Sequence, residues 1–150
     1  MSDVQGACYP FPNLTPDNYR ITSPSTPLYN CIAWAAGDDT KWWWPTAEPR
    51  GSFWPAGVPR HETAASFQAA FEQSGYSLCA DDSHDPALEK IAIYFSDKGL
   101  PTHAARQLPN GNWTSKLGQN VDIVHSDLDA IQGPEYGIAM LIMSRPRLHT

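Results

Sequence analysis

The sequence predicts an α+β domain in which a short N-terminal helix carrying Cys31 packs on an antiparallel β-sheet. Helical spacing lies mainly in the first half of the chain, whereas the second half breaks mostly into short apolar or alternating runs. Between two of those runs, Pro109-Asn-Gly111 is a hairpin signal. One element type followed by the other is the α+β pattern.

Residues 1–27 are rich in Pro, Asn, Ser and Thr and predict an extended arm laid over a core of residues 28–150, the whole making one domain. Asn30 can cap a helix that opens with Cys31-Ile-Ala-Trp-Ala-Ala and stops at Gly37. A long loop over 38–60 follows, with Trp42, Trp43, Trp44 and Trp54; loops of that length are often functional. Ala65, Phe67, Ala70 and Phe71 predict an amphipathic helix from Glu62 to Ser74. Strands are then expected at Tyr76–Ala80, Ile91–Phe95, Thr102–Leu108, Asn112–Leu117 and Gly137–Ser144. Ser126 is expected to cap a short helix ending at Ile131.

A chain of 150 residues suits a single domain. Apolar residues make up 41% of it, and six Trp, six Tyr and five Phe supply large units of buried area. The formal charge is −6 and no basic stripe is present, which argues against nucleic acid and anionic membrane surfaces as partners. No apolar run reaches the roughly 18 residues of a membrane span. The opening MSDVQGACYPF has none of the regions of a signal peptide, so a cytoplasmic protein is expected, with export only by a dedicated machine. Cys8, Cys31 and Cys79 match neither a disulfide framework nor a zinc spacing and are read as thiols. No cofactor or metal is implied; the Cys79, Asp81, Asp82 and His84 stretch reads as a turn.

A reactive cysteine needs its thiolate stabilised, and a helix N-terminus and a nearby imidazole both do this. Cys31 has the first by position, and His103, near the start of a strand with the small Ala104 and Ala105 beside it, can supply the second. A polar group must then orient the imidazole. His61, His84 and His149 sit in polar loops or at the terminus and are read as solvated. Three consecutive Trp cannot all face one core, so part of Trp42, Trp43 and Trp44 is expected to line a groove for a peptide or sugar. Asp38 and Asp39 are read as making local turn bonds.

The segment Tyr29–Trp34 resembles the Cys-bearing helix of the papain-like group that includes the NlpC/P60 and CHAP amidases. Glu89–Phe95 and Thr102–Ala105 resemble that group's strand pair, whose second strand opens on the catalytic His, and Trp113–Gly118 resembles the strand that supplies the third residue. The run NCIAWA, KWWWP, PTHAARQL and WTSKLG also resembles a bacterial domain family of unknown function. The resemblance implies a papain-like fold and a thiol peptidase or amidase with Cys31 as nucleophile and His103 as base; Ser115 stands near the spacing expected of the group's orienting residue, with Asp122 and His125 as alternatives. The resemblance also implies Tyr19 as a site-lining residue. Asn30, the Trp42–Trp44 wall and Lys116, a candidate partner for a substrate carboxylate, complete the expected binding surface. The group's Gly-Asp is Glu89-Lys90 here, a departure from its pattern. Hydrolysis of a peptide or protein substrate is thus the expected activity, with deamidation or acyl transfer open to the same machinery. A catalytically silent binding or immunity-like module with a protein partner, and a secreted peptidoglycan amidase, are the alternatives.

Overall fold

The computed structural model describes residues 11–45, 52–117 and 119–147. Among these residues the chain forms β1 (Tyr19–Ser23), α1 (Cys31–Ala36), α2 (Ala64–Gln73), β2 (Ser77–Leu78), β3 (Leu88–Phe95), β4 (Pro101–Gln107), β5 (Trp113–Lys116), β6 (Asp122–His125), a 3-10 helix (Leu128–Ile131) and β7 (Ile138–Pro146). The strands make one seven-stranded sheet in the order β1-β6-β5-β4-β3-β7-β2, antiparallel throughout.

This architecture overturns the α+β, papain-like expectation. The fold is β-rich, and its two α-helices are only six and ten residues long. Two strands were hidden in the sequence. Tyr19–Ser23, expected within an extended arm, pairs with β6 through Tyr19↔His125, Arg20↔Val124 and Ile21↔Ile123. Its alternating burial follows the two-residue strand period, but turn-forming residues on both sides mask so short a run. Asp122–His125 is buried along its whole length, so it shows no alternation at all.

Apolar side chains cover both faces of the sheet's centre. On one face Ile91, Ile93, Phe95, Ala104 and Met143 pack with α1, α2, Trp43 and Trp54. On the other, Ala92, Tyr94, Ala105, Trp113 and Ile123 pack with Leu128, Ile131 and Tyr136. Burial on both sides explains the unbroken apolar run of β3. Each fully buried large side chain, Phe67 for example, contributes about 1.5–3 kcal/mol relative to exposure.

The helix ends are set locally. The Asn30 side chain accepts from Ala33 N–H, and Gly37, at φ 90°, closes α1 in the left-handed conformation. Thr63 caps α2, which begins two residues later than its sequence pattern suggests. Asp127, rather than Ser126, caps the 3-10 helix by accepting from Ala130 N–H. The hairpin at 109–111 forms as expected, with Leu108 N–H bonded to Asn112 O at 2.7 Å.

Gly137 opens β7 at φ 78°, and a Cβ there would overlap the Phe95 carbonyl. Gly99 has the same φ with open space around it. Gly99→Ala is expected to cost about 1 kcal/mol of stability from left-handed backbone strain alone. Gly137→Ala should cost clearly more, because the overlap is with backbone. Urea unfolding of the two variants checks this; equal losses would show that the Phe95 contact relaxes freely.

Candidate functional site

Asn30 holds the site's first wall. Its Oδ1 accepts from Ala33 N–H at 3.2 Å and from Trp43 N–H at 3.0 Å, and its Nδ2 donates to Trp43 O at 2.7 Å. One buried side chain therefore caps α1 and clasps the tryptophan loop to it. The loop divides its three indoles. Trp43 turns inward, with Nε1 donating to Asp38 at 2.9 Å, while half-buried Trp42 and Trp44 face a cavity. Trp44 also packs edge-on against Phe67, which Trp54 touches from its own segment. Asp38 also bonds Thr40, the local turn expected of it.

That cavity, of about 330 Å³, is lined by Asn30, Cys31, Trp42, Trp44, Thr102, Glu135 and Tyr136. The Cys31 sulfur lies under the backbone N–H groups of Ala104, Ile32 and Cys31 itself, with the Lys116 charge near enough to act on it. Burial outweighs all of these and pushes the thiol up to about 11. Cys31 is thus a neutral thiol near pH 7, contrary to the activated thiolate that its place at the start of a helix suggested. The helix is short, and among the described residues no imidazole is hydrogen-bonded to the sulfur.

Behind the cavity runs a buried polar string. His103 Nε2 lies 3.0 Å from Ser115 Oγ, which lies 2.8 Å from His125 Nε2; His125 Nδ1 lies 2.8 Å from Asp127 O. Burial lowers both histidines, His125 to about 4 and His103 well below its ordinary value, so both rings are neutral near pH 7. The proton positions then follow from one fixed acceptor. Asp127 O can only accept, so His125 carries its proton on Nδ1 and accepts at Nε2. The Ser115 hydroxyl donates there and accepts in turn from His103 Nε2–H. His103 Nδ1 is left as a bare lone pair, fully buried and without a hydrogen-bond partner.

Strand register builds this string. His103 stands opposite Tyr94, Ser115 opposite Ile123, and Trp113 opposite His125. Between β4 and β5 the backbone ladder covers only Arg106↔Thr114 and Gln107↔Trp113. Past it the His103–Ser115 side-chain bond joins the strands, and the Ala104 N–H turns to Cys31 instead. Tyr136 stacks on the His103 ring at 4.0 Å, and Tyr94 meets it edge-on at 5.3 Å. No hydrogen bond joins Cys31 to His103. Ala104, the residue after His103, and Tyr136, which borders both the ring and the Cys31 cavity, connect them.

Ser115 thus takes the expected position beside His103, and His125 extends the string rather than replacing it. Asp122 lies elsewhere, accepting from Tyr29 O–H at 2.6 Å. Tyr19 does not line the Cys31 cavity; as an edge-strand residue it borders a separate one with Asn18, Arg20 and His125. Lys116 is neither solvated nor in the cavity. Buried, it donates to Thr26 O at 2.8 Å and to Asn120 O, and lies over the Tyr29 ring. Cys79 is half-buried beside Asp81 O, whereas Cys8, His149 and residues 46–51 of the aromatic loop lie outside the described residues. Among the described residues no group of three His, Cys, Asp or Glu could hold a metal ion, and no helix is long and apolar enough to cross a membrane. Sequence reasoning missed Thr102, Glu135 and Tyr136. The available signal for the last two was an aromatic and an acid in the glycine-bracketed turn 133–137.

Residues 20–144 match the family model of a domain of unknown function, DUF7689, and the chain belongs to that family. The comparison returns this family and not the papain-like group that the motif order resembles. No curated protein and no solved structure matches.

The two histidines make stability depend on pH. Their folded pKa values lie below the unfolded value near 6.5, so their stabilising contribution is complete above about pH 6.5 and is lost as pH falls. For His125 the loss continues to about pH 4. Each ring should remove about 1.4 kcal/mol per pH unit in that window. Urea unfolding between pH 7 and 4.5 checks this, and His125→Gln should flatten the slope by one ring's share. An unchanged slope would show that His125 already titrates normally.

Proposed function

We propose that this domain is a cysteine-dependent amide or ester hydrolase, with Cys31 as nucleophile and His103 as general base. The observation that carries the reading is the bare Nδ1 of His103. A buried nitrogen without a partner is costly to fold around, and it belongs to the ring whose next residue turns its N–H to the Cys31 sulfur. Ser115 and His125 hold the ring in the one tautomer that leaves this nitrogen basic.

The chemistry starts from a neutral thiol. The Cys31 sulfur attacks the substrate carbonyl carbon as its proton passes to His103 Nδ1, a step that requires the two groups to be brought together when substrate fills the cavity. The protonated ring then delivers that proton to the leaving amine or alkoxide, and the carbon–heteroatom bond breaks to leave a thioester on Cys31. Water attacks the thioester, His103 takes its proton, and the acid leaves as the thiol is restored. Trp42 and Trp44 flank the substrate, and Ser115 and His125 act as positioning residues.

The test is acyl transfer from p-nitrophenyl acetate, followed by mass spectrometry of the tryptic peptides. Acetyl is expected on Cys31, and His103→Gln should slow its transfer about 100-fold or more. Ser115→Ala should slow it less and shift its pH profile. Equal rates in wild type and His103→Gln would sink the base assignment. A second reading, a silent binding module, is favoured by the raised thiol; it requires an unacylated Cys31 in a protein that still retains a ligand in the aromatic cavity.

A further inference from the structure

Glu135 lines more than the Cys31 cavity. A second cavity of about 500 Å³ shares Glu135 as a lining residue and continues along Gly133, Pro134, Asp97, Ile138 and Met140. Glu135 thus borders both cavities, and the second reaches Ile138 and Met140 of β7. At that edge Ile138 and Met140 are 57% and 70% exposed, unusual for large apolar residues in a strand.

The edge is also open in its backbone. β2 pairs only with Met143 and Ser144, and Cys79 N–H extends the cover to Ile142 O at 2.9 Å. Gln132 Oε1 takes the Ala139 N–H. Among the described residues no strand lies against the outer side of Ile138–Leu141. An open edge beside a groove is the geometry by which an extended peptide is added to a sheet.

The charge is one-sided. Glu135 stands where the two cavities meet and Asp97 lines the second, and no Lys, Arg or His lines either. Neither carboxylate belongs to an ion pair among the described residues. Across the first cavity, Trp42 and Trp44 offer indole faces that attract cations.

We infer that this groove takes an extended peptide segment bearing a lysine or arginine, its cationic group at Glu135 and its apolar flank added along Ile138–Leu141. The inference names the substrate class of the hydrolase reading above and rests on that reading only for the placement of the peptide's carbonyl at Cys31. Docking itself needs no chemistry.

Binding is measured on full-length Cys31→Ala protein, which cannot cleave. The probes are blocked, fluorescent peptides of alternating Val and Thr with one central Lys, or with Glu in its place. The Lys peptide should bind about fivefold more tightly, from one exposed ion pair and one cation–π contact. Glu135→Gln should remove most of that preference, and amide exchange at 138–141 should slow when the Lys peptide is present. Equal affinity for the two peptides, a preference indifferent to Glu135→Gln, unchanged exchange at the β7 edge, or no binding would each overturn the inference. If the peptide binds as expected but Cys31 is not acylated by the ester, hydrolysis falls and the peptide groove stands. The opposite pair of results removes the groove and keeps the thiol chemistry.

Discussion

The hydrogen-bond string from His103 through Ser115 to His125 ties β4 to β5 where the backbone ladder between them is short, and runs on to β6. Three polar side chains are buried there, and burial is tolerable only if nearly every donor and acceptor finds a partner. The string meets that demand at each atom but one. Its direction follows from the Asp127 carbonyl, and that direction decides which nitrogen of His103 is left bare. Replacing any link by an apolar residue would change both the joint between strands and the chemistry of the ring.

A second constraint acts from the other side of Cys31. Asn30 satisfies the helix start and both backbone groups of Trp43 with a single amide, so the position of the thiol and that of the aromatic wall are not independent. Trp43 is drawn inward by Asp38 and its neighbours are turned to the cavity by the chain's geometry. The consecutive indoles are therefore divided between packing and lining, as three bulky rings in a row must be.

The electrostatics of the site oppose a resting ion pair. Both Cys31 and His103 are nearly or fully sealed from solvent, and burial disfavours the charged form of each: the thiol rises to about 11 and the imidazole falls. A thiolate–imidazolium pair is the usual route to a reactive cysteine, but a neutral thiol brought to a bare imidazole nitrogen reaches the same intermediate by moving one proton during attack.

Much of this was readable from residues alone. The cap at Asn30, the helix from Cys31, the hairpin at 109–111 and the division of the tryptophans follow from short-range rules, because capping, turns and steric crowding act over a few residues. Ser115 was one of three candidates for the place beside His103, with Asp122 and His125, and only the packed strands decided among them. The sheet's true extent did not follow. β1 and β6 gain their partners only from each other and from β5, and short strands at such separations carry little local signal. Nor could sequence decide the titration of Cys31, the burial of Lys116 or the role of Tyr136, because burial and ring stacking depend on what the rest of the chain brings alongside. The residues determined which chemistry was available; the tertiary structure decided which atoms were sealed, which were paired, and which nitrogen remained bare.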